Sequence, residues 1–193
     1  RHTRFRNVTG VQTCALPIFV GFVRSWAPLV RGWFVTITDH ALARAWEAAL
    51  DESDRYVFAP IAYTAPGSRI RLAGDGPSNW STWIVVARPS TREMQRWGTL
   101  PGAYVLPPGH AERMPVVGGK PLWLMSALVR DYTRPGDLVC DPCLGGGTTL
   151  AAAKLLGRRG IGCDINREHA EMAAKRIRDT REQVALPFGE VGS

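Results

Sequence analysis

The chain has 193 residues, 45% hydrophobic and 21% charged, which is enough for one good core and little more. Its formal net charge is +7, but Arg1, Arg4 and Arg6 supply three of those charges, leaving +4 (7 − 3) for the rest. That is a modest bias toward an acidic partner such as nucleic acid. No apolar run approaches the roughly 20 residues of a membrane span, so no membrane partner and a cytoplasmic location are expected.

Residues Val8–Ile18 resemble the translation of a common sequencing-library adapter, so 1–18 are expected to be artefactual, with the real gene cut upstream. From Phe19 to Val30 the apolar residues fall at helical spacing, and Gly32 ends that stretch. Trp33–Thr38 follows as a nearly all-apolar or β-branched strand of the kind found inside parallel sheets covered on both faces. Asp39 is placed to cap an alanine-rich helix over 41–50.

Arg55–Tyr63 and Trp80–Ala87 are the next expected strands, separated by a turn-rich loop over 64–79 that carries Arg69 and Arg71. Over 88–119 neither helix nor strand pattern persists, and Arg92, Arg96, Trp97, Tyr104, His110 and Arg113 alternate with proline and glycine. Loops of that length in a small domain are functional or disordered. Lys120-Pro121 then opens a helix to about Tyr132, and Arg134–Asp137 is a turn. A strand over 138–141, a helix over 148–156, a strand over 160–164 and a charged helix over 167–181 complete the pattern, with 182–193 as a tail. Alternating strands and helices of this kind argue for a doubly wound α/β sheet.

The three cysteines other than Cys14 are Cys140, Cys143 and Cys163, an odd number that points to a reducing compartment. Cys140-x-x-Cys143 has no second close pair to complete four ligands, so no metal is expected, and the thiols read as small buried hydrophobes.

The densest functional signal is Asp141-Pro142-Cys143-Leu144-Gly145-Gly146-Gly147-Thr148-Thr149, a strand end, a glycine turn and a helix start, followed downstream by Asp164 at the end of the next strand. Glycine lets the backbone approach a ligand, the helix start presents unpaired N–H groups, and a carboxylate at the next strand tip suits ribose hydroxyls. A dinucleotide site wants a third glycine that is missing, and a phosphate loop wants a lysine that is also missing.

The segment resembles the S-adenosylmethionine motif of amino-group DNA methyltransferases, Asp-Pro-Phe-x-Gly-x-Gly-Thr-Thr, with Cys143 in place of the phenylalanine. The preceding Lys120-Pro121 resembles the element that comes before this motif in the subgroup whose catalytic half lies N-terminal to it. The likeness extends more loosely over 19–177. It implies a mostly parallel Rossmann-like domain over 19–181, incomplete at its N-terminus. It also implies S-adenosylmethionine as cofactor and double-stranded DNA as partner, with adenine N6 preferred over cytosine N4 as the methylated amine.

By the same resemblance, Lys120 neighbours the methionine carboxylate and Asp141 faces the amino-acid end. Gly145, Gly146 and Gly147 lie against the cofactor with Pro121, Pro142 and Thr148 beside them, and Asp164 holds the ribose. Arg69, Arg71, Arg92, Arg96 and Arg113 are the arginines expected to contact DNA.

The family's catalytic tetrapeptide, Asp/Asn/Ser-Pro-Pro followed by an aromatic, is not present: Pro107-Pro108 is preceded by Leu106 and followed by Gly109. In the family this motif supplies the acceptor for the target amine and a ring that stacks on the flipped base. The parent gene is expected to have encoded it before Phe19. Without that strand the sheet has a gap or two exposed edges, and poor folding or aggregation is expected. Two other classes fit the same residues: a noncatalytic S-adenosylmethionine or nucleic-acid binding module, and a methyltransferase acting on RNA or a small molecule.

Overall fold

The computed structural model describes residues 8–67, 76–107 and 119–181. The chain forms two units, Arg1–Ala111 and Glu112–Ser193.

In the first unit, α1 spans Val8–Trp26 and passes into a 3-10 turn over Ala27–Leu29. The helix therefore starts ahead of the expected Phe19. It stops at Trp26 rather than Val30, because Pro28 has no N–H to continue the ladder. β1 is Phe34–Thr38 and α2 is His40–Asp51, with the Asp39 carboxylate accepting the Leu42 N–H at 2.9 Å as the N-cap expected from sequence.

β2 (Arg55–Val57), β3 (Ile61–Thr64), β4 (Ser81–Pro89) and β5 (Ala103–Val105) complete a sheet ordered β1-β4-β3-β5, with β2 also on β4. Where one strand was expected over 55–63 there are two. Val57 lies opposite Ala87 and Ile61 opposite Ile84, four steps on one side against three on the other. That is a bulge, and Pro60 within it removes a ladder donor.

Two further expectations are corrected in this unit. β1 runs antiparallel to β4 rather than inside a parallel sheet, since both of its neighbours could not be read from its own apolar pattern. The segment expected to be irregular over 88–119 holds a 3-10 turn at Met94–Arg96 and the short strand β5, which pairs parallel to β3. β5 alternates exposed, buried and exposed around Tyr104, a period too brief to register in sequence.

The core here gathers Val23, Phe34, Leu50 and Val85, with Phe19, Phe22, Trp26 and Trp46 packed around them. Trp46 is the hub, 4.4 Å from the Phe19 ring and edge-on to Phe22 at 5.7 Å. Arg55 is buried as well and serves as a polar tie. Its guanidinium donates to Gly32 O at 2.9 Å, to Ala27 O at 3.1 Å and to Val30 O, so one side chain satisfies the carbonyls leading from the 3-10 turn into β1. Burial lowers its pKa from the ordinary arginine value.

In the second unit, α3 (Leu122–Tyr132), β6 (Leu138–Asp141), α4 (Thr148–Leu155), β7 (Arg159–Gly162) and α5 (Arg167–Asp179) form a β-α-β unit with β6 and β7 parallel in register Val139↔Gly160. This is the α/β, Rossmann-like arrangement expected for the region. α4 covers one face: a side chain on Gly162 would stand 2.7 Å from Asp141 O and 3.0 Å from Leu144, so only glycine allows the approach. The other face is bare among the described residues, with Leu138 and Ile161 each more than half exposed.

Cys140, Cys143 and Cys163 are accordingly exposed, not the buried hydrophobes expected. Cys140 lies on the face that no described helix covers, and Cys143 and Cys163 lie beyond the ends of the two strands. Arg158 ties the ends of α3 and α4, donating to Thr133 Oγ1 at 2.9 Å, Thr133 O at 3.1 Å and Leu156 O.

Replacing Arg55 by alanine removes its bonds to the Gly32 and Val30 carbonyls, while Ala27 O keeps the Val30 N–H, and is expected to lower stability by roughly 2–4 kcal/mol. Lysine, with one ammonium for three acceptors, recovers a minor part of that loss. Denaturant titration followed by tryptophan emission reads both variants.

Candidate functional site

The site is assembled at the tips of β6 and β7. The chain leaves β6 through Pro142 and makes a turn in which Asp141 Oδ1 accepts the Cys143 N–H at 3.0 Å. Leu144 N–H donates to Cys163 O at 3.0 Å and Cys163 N–H to Asp141 O at 3.1 Å, so the parallel ladder continues past both strands into the turn. Gly145 and Gly147 sit at φ +50° and +74°, in the left-handed region that glycine favours. Gly147 is the N-cap of α4 and supplies no side-chain acceptor, so the helix start is capped by no side chain.

Asp164 closes the arrangement. Its Oδ2 accepts the Gly145 N–H at 2.7 Å and its Oδ1 the Asn166 N–H at 2.8 Å, with His169 Nδ1 3.7 Å away. These N–H groups, Asn166 first and Gly145 second, hold its pKa below the ordinary aspartate value, and nearby His169 adds to the effect. The carboxylate is thus kept ionised while each oxygen retains a further lone pair.

The cysteines behave differently. Partial desolvation of the sulfurs, although both residues are exposed, and then the Asp141 carboxylate push Cys140 and Cys143 above the ordinary thiol value. They stay protonated at neutral pH, which suits neither a nucleophile nor a metal thiolate. Among the described residues no group of three or more His, Cys, Asp or Glu is arranged to hold a metal. None of the described helices is long and apolar enough to cross a membrane.

Of the residues expected at a cofactor site, Asp141, Pro142, Gly145, Gly146, Gly147, Thr148 and Asp164 come together here. Thr148 is buried, and its hydroxyl accepts from Arg176 at 2.8 Å. Lys120 and Pro121 stand at the start of α3 in the same unit, with Pro121 as its N-cap. Arg92 and Arg96 are exposed beside the 3-10 turn of the first unit. Arg69, Arg71 and Arg113 lie outside the described residues, as do the rest of 68–75 and 108–118 and the tail from 182.

Sequence reasoning missed α5 as part of the site. Ala173 packs so closely that a side chain on Gly147 would meet its Cβ at 2.7 Å and its Cα at 2.8 Å. Arg176, one turn later, reaches Thr148 and Gly146 O. The spacing of the two residues, three apart on one helix face, was the available signal.

Gly147→Ala is expected to lower the thermal midpoint by several degrees, because the added methyl both clashes with Ala173 and strains a left-handed residue, roughly 2–3 kcal/mol in all. Adding Ala173→Gly removes the clash with the Ala173 methyl but neither the crowding against the α5 backbone nor the strain, so rescue in a thermal scan is partial. Asp164→Asn tests the charge. A carboxylate held below its unfolded pKa of about 3.9 contributes fully at neutral pH, and that contribution is lost as pH falls through its folded value. The wild type is therefore expected to exceed Asp164→Asn in urea midpoint at pH 7, with the gap closing below pH 4.

Residues 110–175 match the family model for DNA methylases of the N6/N4 type. The type II methyltransferase M2.DpnII of Streptococcus pneumoniae is 41% identical over 63 residues, which is 33% of this chain and 24% of that protein. The chain thus spans about a quarter of the length of that relative. Among solved structures, a complex of M1.HpyAVI with S-adenosylmethionine superposes with TM-score 0.69 at 24% identity, covering 82% of this chain and 81% of its own. The cytosine-N4-specific PvuII DNA methyltransferase gives 0.62 at 17% identity, covering 83% and 71%. These likenesses extend well beyond the second unit and share its α/β, Rossmann-like fold. The motif from Asp141 to Thr149 therefore lies within the segment that matches the DNA methylase family model.

Proposed function

We propose that this chain is a fragment of an S-adenosylmethionine-dependent DNA methyltransferase, that its second unit holds the cofactor, and that the parent enzyme methylates an exocyclic base amine. The observation that carries this reading is the glycine turn, bound by its own backbone to the tip of β7 through the Asp164 carboxylate.

The residues fit the cofactor. A turn of glycines with an uncapped helix start offers N–H groups and close approach, and the spare lone pairs of Asp164 are acceptors for sugar hydroxyls. Lys120 supplies a point charge for the amino-acid carboxylate. Asp141, with its side chain folded onto Cys143 N–H, stands at the strand tip beside that end. When bound, S-adenosylmethionine supplies an electrophilic methyl on a sulfonium. This chain's residues then bind and orient it, and alignment is the main contribution to such a displacement.

The acceptor half of the chemistry is assigned to the parent protein. Among the described residues β6 pairs with β7 and β1 with β4, and each leaves its other edge unpaired. In the family the catalytic strand lies between the strands that here end at Asp141 and Thr38. Free edges on those two strands and the absence of the Pro-Pro-aromatic tetrapeptide support the reading that this strand is not part of this chain. Adenine N6 remains the preferred target and double-stranded DNA the partner. Arg92 and Arg96, together with Arg69, Arg71 and Arg113, are proposed to contact DNA.

Calorimetry of this chain with S-adenosylmethionine is expected to show saturable heat, and tritium transfer to duplex DNA no incorporation. Joining a strand that carries the Pro-Pro-aromatic tetrapeptide is expected to give transfer. Binding of NAD in place of S-adenosylmethionine would overturn the cofactor assignment. Transfer by the completed protein to RNA or free nucleosides alone would overturn the DNA assignment.

A further inference from the structure

α5 is fastened to α4 at both ends. Lys154 Nζ, in the last turn of α4, donates to Ile177 O at 2.7 Å and Arg178 O at 3.3 Å, satisfying carbonyls at the C-terminal end of α5. At the other end of α4, Ala173 seats against Gly147, and Arg176 Nη1 donates to Thr148 Oγ1 at 2.8 Å and to Gly146 O at 3.4 Å. Thr148 is 7% exposed, so its hydroxyl is an acceptor sealed from solvent.

Arg176 is partnered by a hydroxyl and a carbonyl, not by the carboxylate that its guanidinium fork matches best. The neighbouring acid on α5, Asp179, is bonded instead to Lys175 at 2.7 Å. Arg176 also brings a cation to the start of α4, where the helix dipole is positive, an electrostatic cost that a packing contact alone would avoid. Its two acceptors are neighbours in chain terms: the carbonyl of the middle glycine and the side chain of the first helical residue. Holding both fixes the orientation of the peptides between them, the same peptides whose N–H groups border the turn.

We propose that Arg176 is a positioning residue for the cofactor turn, touching no ligand itself but setting the aim of the Gly146–Thr148 backbone through Thr148 Oγ1 and Gly146 O. This rests on the cofactor reading given above. It also assigns Thr148 to the brace, since its hydroxyl is turned to α5.

The test uses the full 193-residue chain with S-adenosylhomocysteine in calorimetry and with hydrogen exchange of the turn amides. Arg176→Gln is expected to weaken binding about tenfold, on the scale of one lost charged hydrogen bond, and Thr148→Val to weaken it similarly. The double variant is expected to be no weaker than Arg176→Gln alone, because that change already removes the bond that Thr148→Val removes. Exchange at Gly146–Thr149 is expected to quicken in Arg176→Gln while the α3 amides keep their protection. Arg176→Lys, which keeps the charge without the fork, replaces Arg176→Gln should the latter not fold, with the same exchange and affinity changes at smaller size.

Wild-type affinity in the Arg176 variant, full additivity in the double variant, or uniform loss of protection across α3 and the turn would each overturn the proposal. If the wild type binds no S-adenosylhomocysteine, the cofactor reading fails separately. Exchange then decides the brace alone: turn-confined quickening supports it, and unchanged turn exchange overturns it.

Discussion

The bond from Gly145 N–H to Asp164 is the constraint on which the site depends. A turn with two left-handed residues is costly to order, and its own backbone makes few bonds that would choose one conformation. Here the partner is supplied from the tip of the adjacent strand, by an ionised oxygen at 2.7 Å. The same carboxylate takes the Asn166 N–H, and Asn166 in turn caps α5 by accepting from Glu168 and His169. One charged group therefore sets the turn after β6, the exit from β7 and, through its neighbour, the start of α5.

From this follows a division of labour between polar bonds inside the site and packing behind it. Gly162 brings β7 against Asp141 O, which lets the ladder run past the strand ends and places Asp164 within reach of the turn. On the outer side, Ala173 fills the space left by Gly147, so the smallest residue on α4's cap meets a small residue on α5. Larger side chains at either position would separate the helices and lengthen the Arg176 contacts. The sequence of small residues is thus as much a part of the site as its charges.

Local features were legible in the chain, and long-range ones were not. The capping of α2 by Asp39, the bounds of β6 and α4, and the glycine turn itself depend on neighbours within a few residues, and pattern reading places them. β1's antiparallel partner, the bulge at 58–60 and β5's pairing depend on which strand lies alongside, which an apolar run does not encode. Arg55 reads as a charged residue at a strand start, yet its acceptors lie 23 to 28 positions earlier in the chain. Arg176 was hidden in the same way, as one of several basic residues on a charged helix, and only the fold distinguishes it from Arg178. Exposure of Cys140 was misjudged because burial of a parallel strand was assumed on both faces.

That last error carries the broader physical point. A parallel strand pair owes its stability to cover on both faces, and here α4 covers one while Leu138, Cys140 and Ile161 look outward from the other. β6 also has one edge unpaired among the described residues, so its backbone donors and acceptors on that side are not used in a sheet. Under the proposed function, cofactor affinity rests on the turn and Asp164, and methyl transfer rests on the separate strand proposed to present the acceptor.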